Sequence, residues 1–207
     1  MDGSGKSTHA RCLAERLSAR GHSARYVYAG GYMVLGPVAW LFRQLTIWLL
    51  PTAEKPGSVN HENPLLRPGR KPAPFRLWPV LALIDRLFHF FLVLRPALFF
   101  GDVICDRYFY DMLIGFRFHG YMGASFENVA RRLMPRPDVI LVLEVDPAVA
   151  RLRETNGNHN LSFYLEFHKR YRDLAVAIGA HVVDTSESKA QTIEEIARLV
   201  GEFQVSN

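Results

Sequence analysis

The chain has 207 residues, 49% of them hydrophobic and 22% charged. That balance excludes a disordered chain and suits one globular domain with a core of its own. The net charge of +5 suits an anionic ligand, a nucleic acid or an acidic membrane surface, and does not choose among them.

The first stretch, Met1-Asp2-Gly3-Ser4-Gly5-Lys6-Ser7-Thr8, carries most of the pattern G-x-x-x-x-G-K-[ST]. Glycines in such a loop let successive backbone amides point at a phosphate, and the helix that follows adds its positive end. Lys6 would reach the β- and γ-phosphates, and the Ser7 hydroxyl would ligate Mg²⁺. A turn that merely caps a helix uses the same residue types, so the fragment alone leaves both readings open. The leading glycine of the pattern would fall one residue before Met1, and the buried strand that feeds the loop further upstream. The expectation is therefore a chain that begins inside its own motif, without the first central strand.

Residues 7–20 are predicted as a helix, with Ala10, Leu13, Ala14 and Leu17 on one face and Gly21 ending it. A short strand follows at 24–29. Residues 32–50 and 77–100 are apolar, and a Pro-, Gly- and Arg-rich stretch separates them. The charges Asp85, Arg86 and Arg95 argue against a membrane span in the second, which reads as buried or amphipathic helix. Residues 101–106 read as a buried strand, with Asp106, Arg107 and Tyr108 at its carboxyl end, where ligands of open α/β sheets bind. Asp106 would hold Mg²⁺ through water and Arg107 would clamp a phosphate; a surface Asp–Arg pair is the alternative. A helix is expected at 126–133. Residues 138–146, DVILVLEVD, have the continuous apolar run of a strand covered on both faces. A helix from Pro147 to Arg153, a polar lid at about 151–161, a long helix at 162–178 and a strand at 180–184 follow. Ser188 and Gln191 form a capping-box pattern before a last helix. Cys12 and Cys105 fall in a helix and a buried strand, so both are expected reduced. The polar, glycine-rich N-terminus does not read as a secretory leader, and a cytoplasmic location is expected.

DGSGKST, GDVICDRY, LEVDP followed by ARLR, and VVDTS before a terminal helix occur in that order. Together they resemble the thymidylate kinase family of P-loop nucleoside-monophosphate kinases. The resemblance implies one α/β domain over residues 1–207, a parallel sheet flanked by helices in three layers, with a divergent region at about 32–100. It implies ATP and Mg²⁺ as cofactors. Gly3, Ser4, Gly5, Lys6, Ser7 and Thr8 match the donor phosphate loop. Asp2 matches an acidic position that touches the acceptor sugar in several members. Asp106, Arg107 and Tyr108 match the DR-aromatic motif that faces the acceptor phosphate and the metal. Arg153 matches the arginine at the start of the lid, with Arg151 a weaker candidate beside it. Thr185 and Ser186 fall where the family packs the donor adenine. Lys6, Arg107 and Arg153 would be the catalytic residues, and Ser7 and Asp106 the metal ligands.

Two departures bear on the acceptor. Strict members carry Arg-Glu-Pro-Gly after the second strand, and here the chain reads Ala29-Gly30-Gly31-Tyr32. They also follow the DR motif with a Ser…Ala-Tyr-Gln stretch, replaced here by Phe109-Tyr110-Asp111-Met112-Leu113-Ile114. The leading reading is an ATP-dependent kinase of a nucleoside monophosphate, dTMP-like by resemblance. A deoxynucleoside, sugar or lipid-linked acceptor on the same scaffold, and a non-catalytic nucleotide-binding protein, are the alternatives. Nucleotide substrates are the expected partners, with a homodimer implied by resemblance. Specific nucleic-acid binding and membrane association are not expected.

Overall fold

The computed structural model describes residues 4–37, 77–153, 160–186 and 188–205. The chain divides into two compact units that alternate along the sequence. The first comprises Met1–Val27, Phe100–Asp106 and Arg136–Asn207; the second comprises Tyr28–Phe99 and Arg107–Pro135.

The first unit opens with helix α1, Lys6–Ala19, which buries Leu13, Ala14 and Leu17. It ends where the His22 amide returns to the Leu17 carbonyl over Gly21 at φ 89°. Strand β1, Ala24–Tyr28, pairs with β2, Asp102–Asp106. A second pair is parallel: β3, Leu141–Glu144, runs beside β4, His181–Asp184, with Leu141 opposite His181. No ladder joins β2 to β3 among the described residues. Ile104 of β2 and Leu141 and Leu143 of β3 instead share one apolar cluster with Leu13, Leu17, Val183, Ile196 and Ala197.

The helices of this unit start and stop where their local chemistry dictates. The Asp146 carboxylate accepts the Ala148 amide at 2.7 Å, and Pro147 opens α6, Pro147–Arg153. Asn160 caps α7, Leu161–Ile178, by accepting the Phe163 amide at 3.1 Å. Ser188 and Gln191 exchange side-chain to backbone hydrogen bonds at 3.3 Å before α8, Lys189–Val205, as the capping-box pattern predicts.

The second unit is built on a long helix in three parts. Trp78–His89 is α-helical (α2), Phe90–Leu94 is π-helical, and Arg95–Leu98 returns to α (α3). Pro96 has no N–H to give the carbonyl four residues back, which favours a local change of register. Helix α4, Phe109–Phe118, and α5, Ala124–Leu133, pack with α2 around Leu83, Phe109, Leu113, Ala130 and Met134. Among the described residues no helix is long and apolar enough to cross a membrane. The Pro- and Arg-rich stretch lies outside the described residues.

Leu17 fills the cluster where α1, β3, β4 and α8 meet. Leu17→Ala is expected to cost about 2–5 kcal/mol in urea denaturation. Val176→Ala, at a side chain 85% exposed, is expected to stay within about 0.5 kcal/mol.

Candidate active site

The residues that match the phosphate-loop pattern are set by the start of α1. Gly5 is its N-cap, at φ 76°, and Lys6 is the first helical residue. Ser4 is fully buried, Lys6 half-buried, and Ser7 and Thr8 are exposed. The first turn carries no acidic side chain, so the positive end of the helix is not neutralised from within. Asp2 and Gly3 lie outside the described residues.

His9 is a residue that motif matching passes over. Its Nδ1 lies 2.8 Å from the Gly5 carbonyl oxygen, which also accepts the His9 amide at 3.0 Å. A carbonyl only accepts, so Nδ1 carries the proton. Nε2 is buried with no partner. A Cβ at position 5 would meet Nδ1 at 2.9 Å. Gly5 is therefore required twice, by its backbone angle and by the imidazole packed against it.

Asp106 ends β2 and is 2% exposed. Its Oδ2 accepts the Tyr26 hydroxyl at 2.8 Å, while Oδ1 is buried and unpartnered. The Arg11 guanidinium stands 5.0 Å from the Tyr26 ring centre. Burial, followed by the hydrogen bond to Asp106 and its charge, raises the Tyr26 phenol above its ordinary range. The contribution of a raised tyrosine is fully present below the unfolded-state value and is lost as pH climbs through the folded-state one.

Thr185 stands just past β4 and is 3% exposed. Its amide and hydroxyl donate to the Glu144 carbonyl at 2.7 and 2.8 Å. The Glu144 carboxylate in turn accepts two hydrogen bonds from Arg172, at 2.6 and 3.0 Å, and is met by the His168 Nε2. Thr185 is thus spent on holding two strand ends together, and Ser186 beside it is exposed. Arg151 and Arg153 are exposed at the last turn of α6. Residues 154–159 of the expected lid lie outside the described residues.

In the second unit Arg107 has φ 66°, the one non-glycine positive φ among the described residues. Such a conformation costs of order 1–3 kcal/mol and persists where the surroundings over-determine it. Tyr108 gives its hydroxyl to the Pro135 carbonyl at 2.8 Å, and its ring packs on the Phe109 cluster. Asp111 accepts the Tyr108 amide at 3.4 Å, so the acidic residue three places after the tyrosine helps fix the start of α4.

Two residues of α2 grip the loop after β1. The Asp85 carboxylate accepts the amides of Met33, Val34 and Leu35 at 2.9, 2.7 and 2.8 Å. The Arg86 guanidinium donates to the Ala29 carbonyl, and to that of Gly30 at 3.0 Å. Periodicity cannot reveal these partners, because they lie 50 or more residues apart in sequence. The signal present was a charge pair inside an apolar helix.

Two outcomes follow from this geometry. Arg107→Gly releases the positive-φ strain while adding backbone freedom to the unfolded chain, so its stability in urea is expected within about 1 kcal/mol of the parent. The Ser186 hydroxyl and amide hold the exposed Asp184 carboxyl below its ordinary range. That contribution is present above the unfolded-state value and lost as pH falls through the folded one. Ser186→Ala is expected to move the Asp184 titration upward in carbon-detected NMR.

No family model matches the chain. The chain is similar to a probable thymidylate kinase of Pyrobaculum aerophilum, at 26% identity over 97% of this chain and 92% of that protein. It is similar to a thymidylate kinase of Xanthomonas euvesicatoria pv. vesicatoria, at 30% identity over 97% of this chain and 80% of that protein. The crystal structure of thymidylate kinase from Ehrlichia chaffeensis superposes with a TM-score of 0.60 at 19% identity, covering 97% of this chain and 94% of that one. That likeness shows the α/β fold that this chain shares, to which the parallel pair of β3 and β4 belongs. On the identity and coverage of its relatives, the chain belongs to the thymidylate kinase family.

Proposed function

We propose that the chain is a nucleotide kinase that transfers the γ-phosphoryl group of ATP to a nucleoside monophosphate, with dTMP as the first acceptor to test. The observation that carries this reading is Asp106. It ends a strand, is almost wholly buried, and keeps one carboxylate oxygen without a partner, beside an arginine held in a strained backbone conformation. Membership of the thymidylate kinase family supports the reaction class.

In this reading the amides at the start of α1 bind the donor phosphates, and Lys6 adds a positive charge at the β- and γ-phosphates. An acceptor phosphate oxygen attacks the γ-phosphorus. The bond from that phosphorus to the β–γ bridging oxygen breaks, and ADP leaves. Arg107 orients the acceptor phosphate, and Arg153 offsets charge on the group in flight. Ser186, the exposed member of its pair, meets the adenine. Asp106 Oδ1 and Ser7 Oγ are hard oxygen donors that suit Mg²⁺ and would hold it directly or through water. Mg²⁺, when bound, neutralises charge on the donor phosphates.

One observation favours a different acceptor on the same scaffold. The loop after β1 offers no cation at Ala29-Gly30-Gly31-Tyr32, and its backbone is engaged by Asp85 and Arg86. The test is ADP release across nucleoside monophosphates, deoxynucleosides, sugars and lipid-linked sugar phosphates. Turnover of dTMP is expected; no turnover on any nucleoside monophosphate overturns the proposal. Lys6→Ala is expected to lower kcat by about 10²–10³ with an unchanged melting temperature.

A further inference from the structure

The loop after β1 and the arginine of the DR motif touch. A Cβ placed on Gly30 would lie 2.6 Å from the Arg107 Cδ and 2.4 Å from the Tyr28 hydroxyl oxygen. Both are closer than side-chain contacts allow, so the stem of Arg107 passes over position 30 only because the residue there is glycine. Gly30 is also one of the two residues whose carbonyls Arg86 holds.

The loop is not free to yield. Asp85 is 1% and Arg86 6% exposed. Each is a buried charge whose partners are loop backbone groups, three amides for the carboxylate and two carbonyls for the guanidinium. Letting the loop go would strand both charges in an apolar setting. Tyr32 closes the grip from above: its ring lies 5.4 Å from the Arg86 Cζ and meets Trp78 edge to face at 5.3 Å. The loop therefore behaves as a fixed surface.

We propose that Asp85, Arg86 and Gly30 are positioning residues for Arg107: the two charged side chains of α2 fix the loop, and the bare backbone at Gly30 sets the path of the Arg107 side chain. The kinetic part of this proposal rests on Arg107 contacting the acceptor phosphate, as in the proposed function. A rigid support matters because a guanidinium must meet a phosphate within a fraction of an ångström to orient it.

The experiment has two arms. The first needs no turnover. The Arg107 Nε–Hε resonance, assigned by its loss in Arg107→Ala, is followed by NMR in the parent, Gly30→Ala and Asp85→Asn. In both variants it is expected to move toward the position of a free arginine side chain. An unmoved resonance overturns the proposal whether or not the protein is a kinase. If the Tyr28 ring makes Gly30→Ala fail to fold, Tyr28→Ala/Gly30→Ala removes that collision and keeps the one with Arg107. Asp85→Asn adds no volume at all.

The second arm is kinetic, with dTMP and ATP. Gly30→Ala is expected to lower kcat/KM for dTMP by about 10²-fold while KM for ATP changes less than twofold. In an Arg107→Ala background the same Gly30 substitution is expected to have no further effect, because the residue it acts through is gone. An equal loss for ATP, or full additivity with Arg107→Ala, overturns the positioning role. A parent protein inert toward every nucleoside monophosphate overturns the proposed function instead, and the resonance then decides the positioning role on its own.

Discussion

Two ionised side chains stand next to each other in α2, nearly dry, and neither is satisfied by the other. Desolvating a carboxylate or a guanidinium costs several kcal/mol unless hydrogen bonds replace the water. Here the replacement comes from a peptide segment fifty or more residues earlier in the chain. The arrangement makes the loop after β1 a structural partner of the helix, and the helix interior is stable only with that loop in place. In the second unit the apolar cluster around Phe109 gives bulk, while Asp85 and Arg86 hold the loop against the helix.

In the first unit the same logic works through strand ends. The cluster around Leu17 and Val183 holds α1, α8 and the two strand pairs together. Two carboxyl-terminal strand ends of this unit, at Asp106 and Glu144, carry different chemistry. Glu144 is saturated by Arg172, His168 and the Thr185 hydrogen bonds to its carbonyl. Asp106 is half satisfied, by Tyr26 alone. The contrast separates an acid that braces the fold from one with coordination to spare.

Much of this was legible in the residues. The capping box at Ser188 and the helix opened by Pro147 are local signals, carried by residues within four positions of one another. Other features were not. The expected strand at 138–146 contracts to Leu141–Glu144, the four residues that lie in register with β4. Helix α4 went unassigned, since FYDMLIGFRF is apolar on most faces and shows no clear period. Asp85 and Arg86 served in sequence only to argue against a membrane span, and their role depends on a loop that sequence proximity does not bring near. His9 was invisible for a subtler reason: its importance lies in the space above a glycine.

The π-helical turn at Phe90–Leu94 has a consequence for how this chain can diverge. Upstream of it, α2 buries Leu83, Asp85 and Arg86, and each of those packs on or bonds to a distant segment. Downstream, α3 buries nothing. The change of hydrogen-bond register rotates the second stretch off the face the first one follows. One continuous helix therefore contains two regimes of substitution: a proximal part in which Asp85 and Arg86 can change only together with the loop they hold, and a distal part where single changes meet no such obligation.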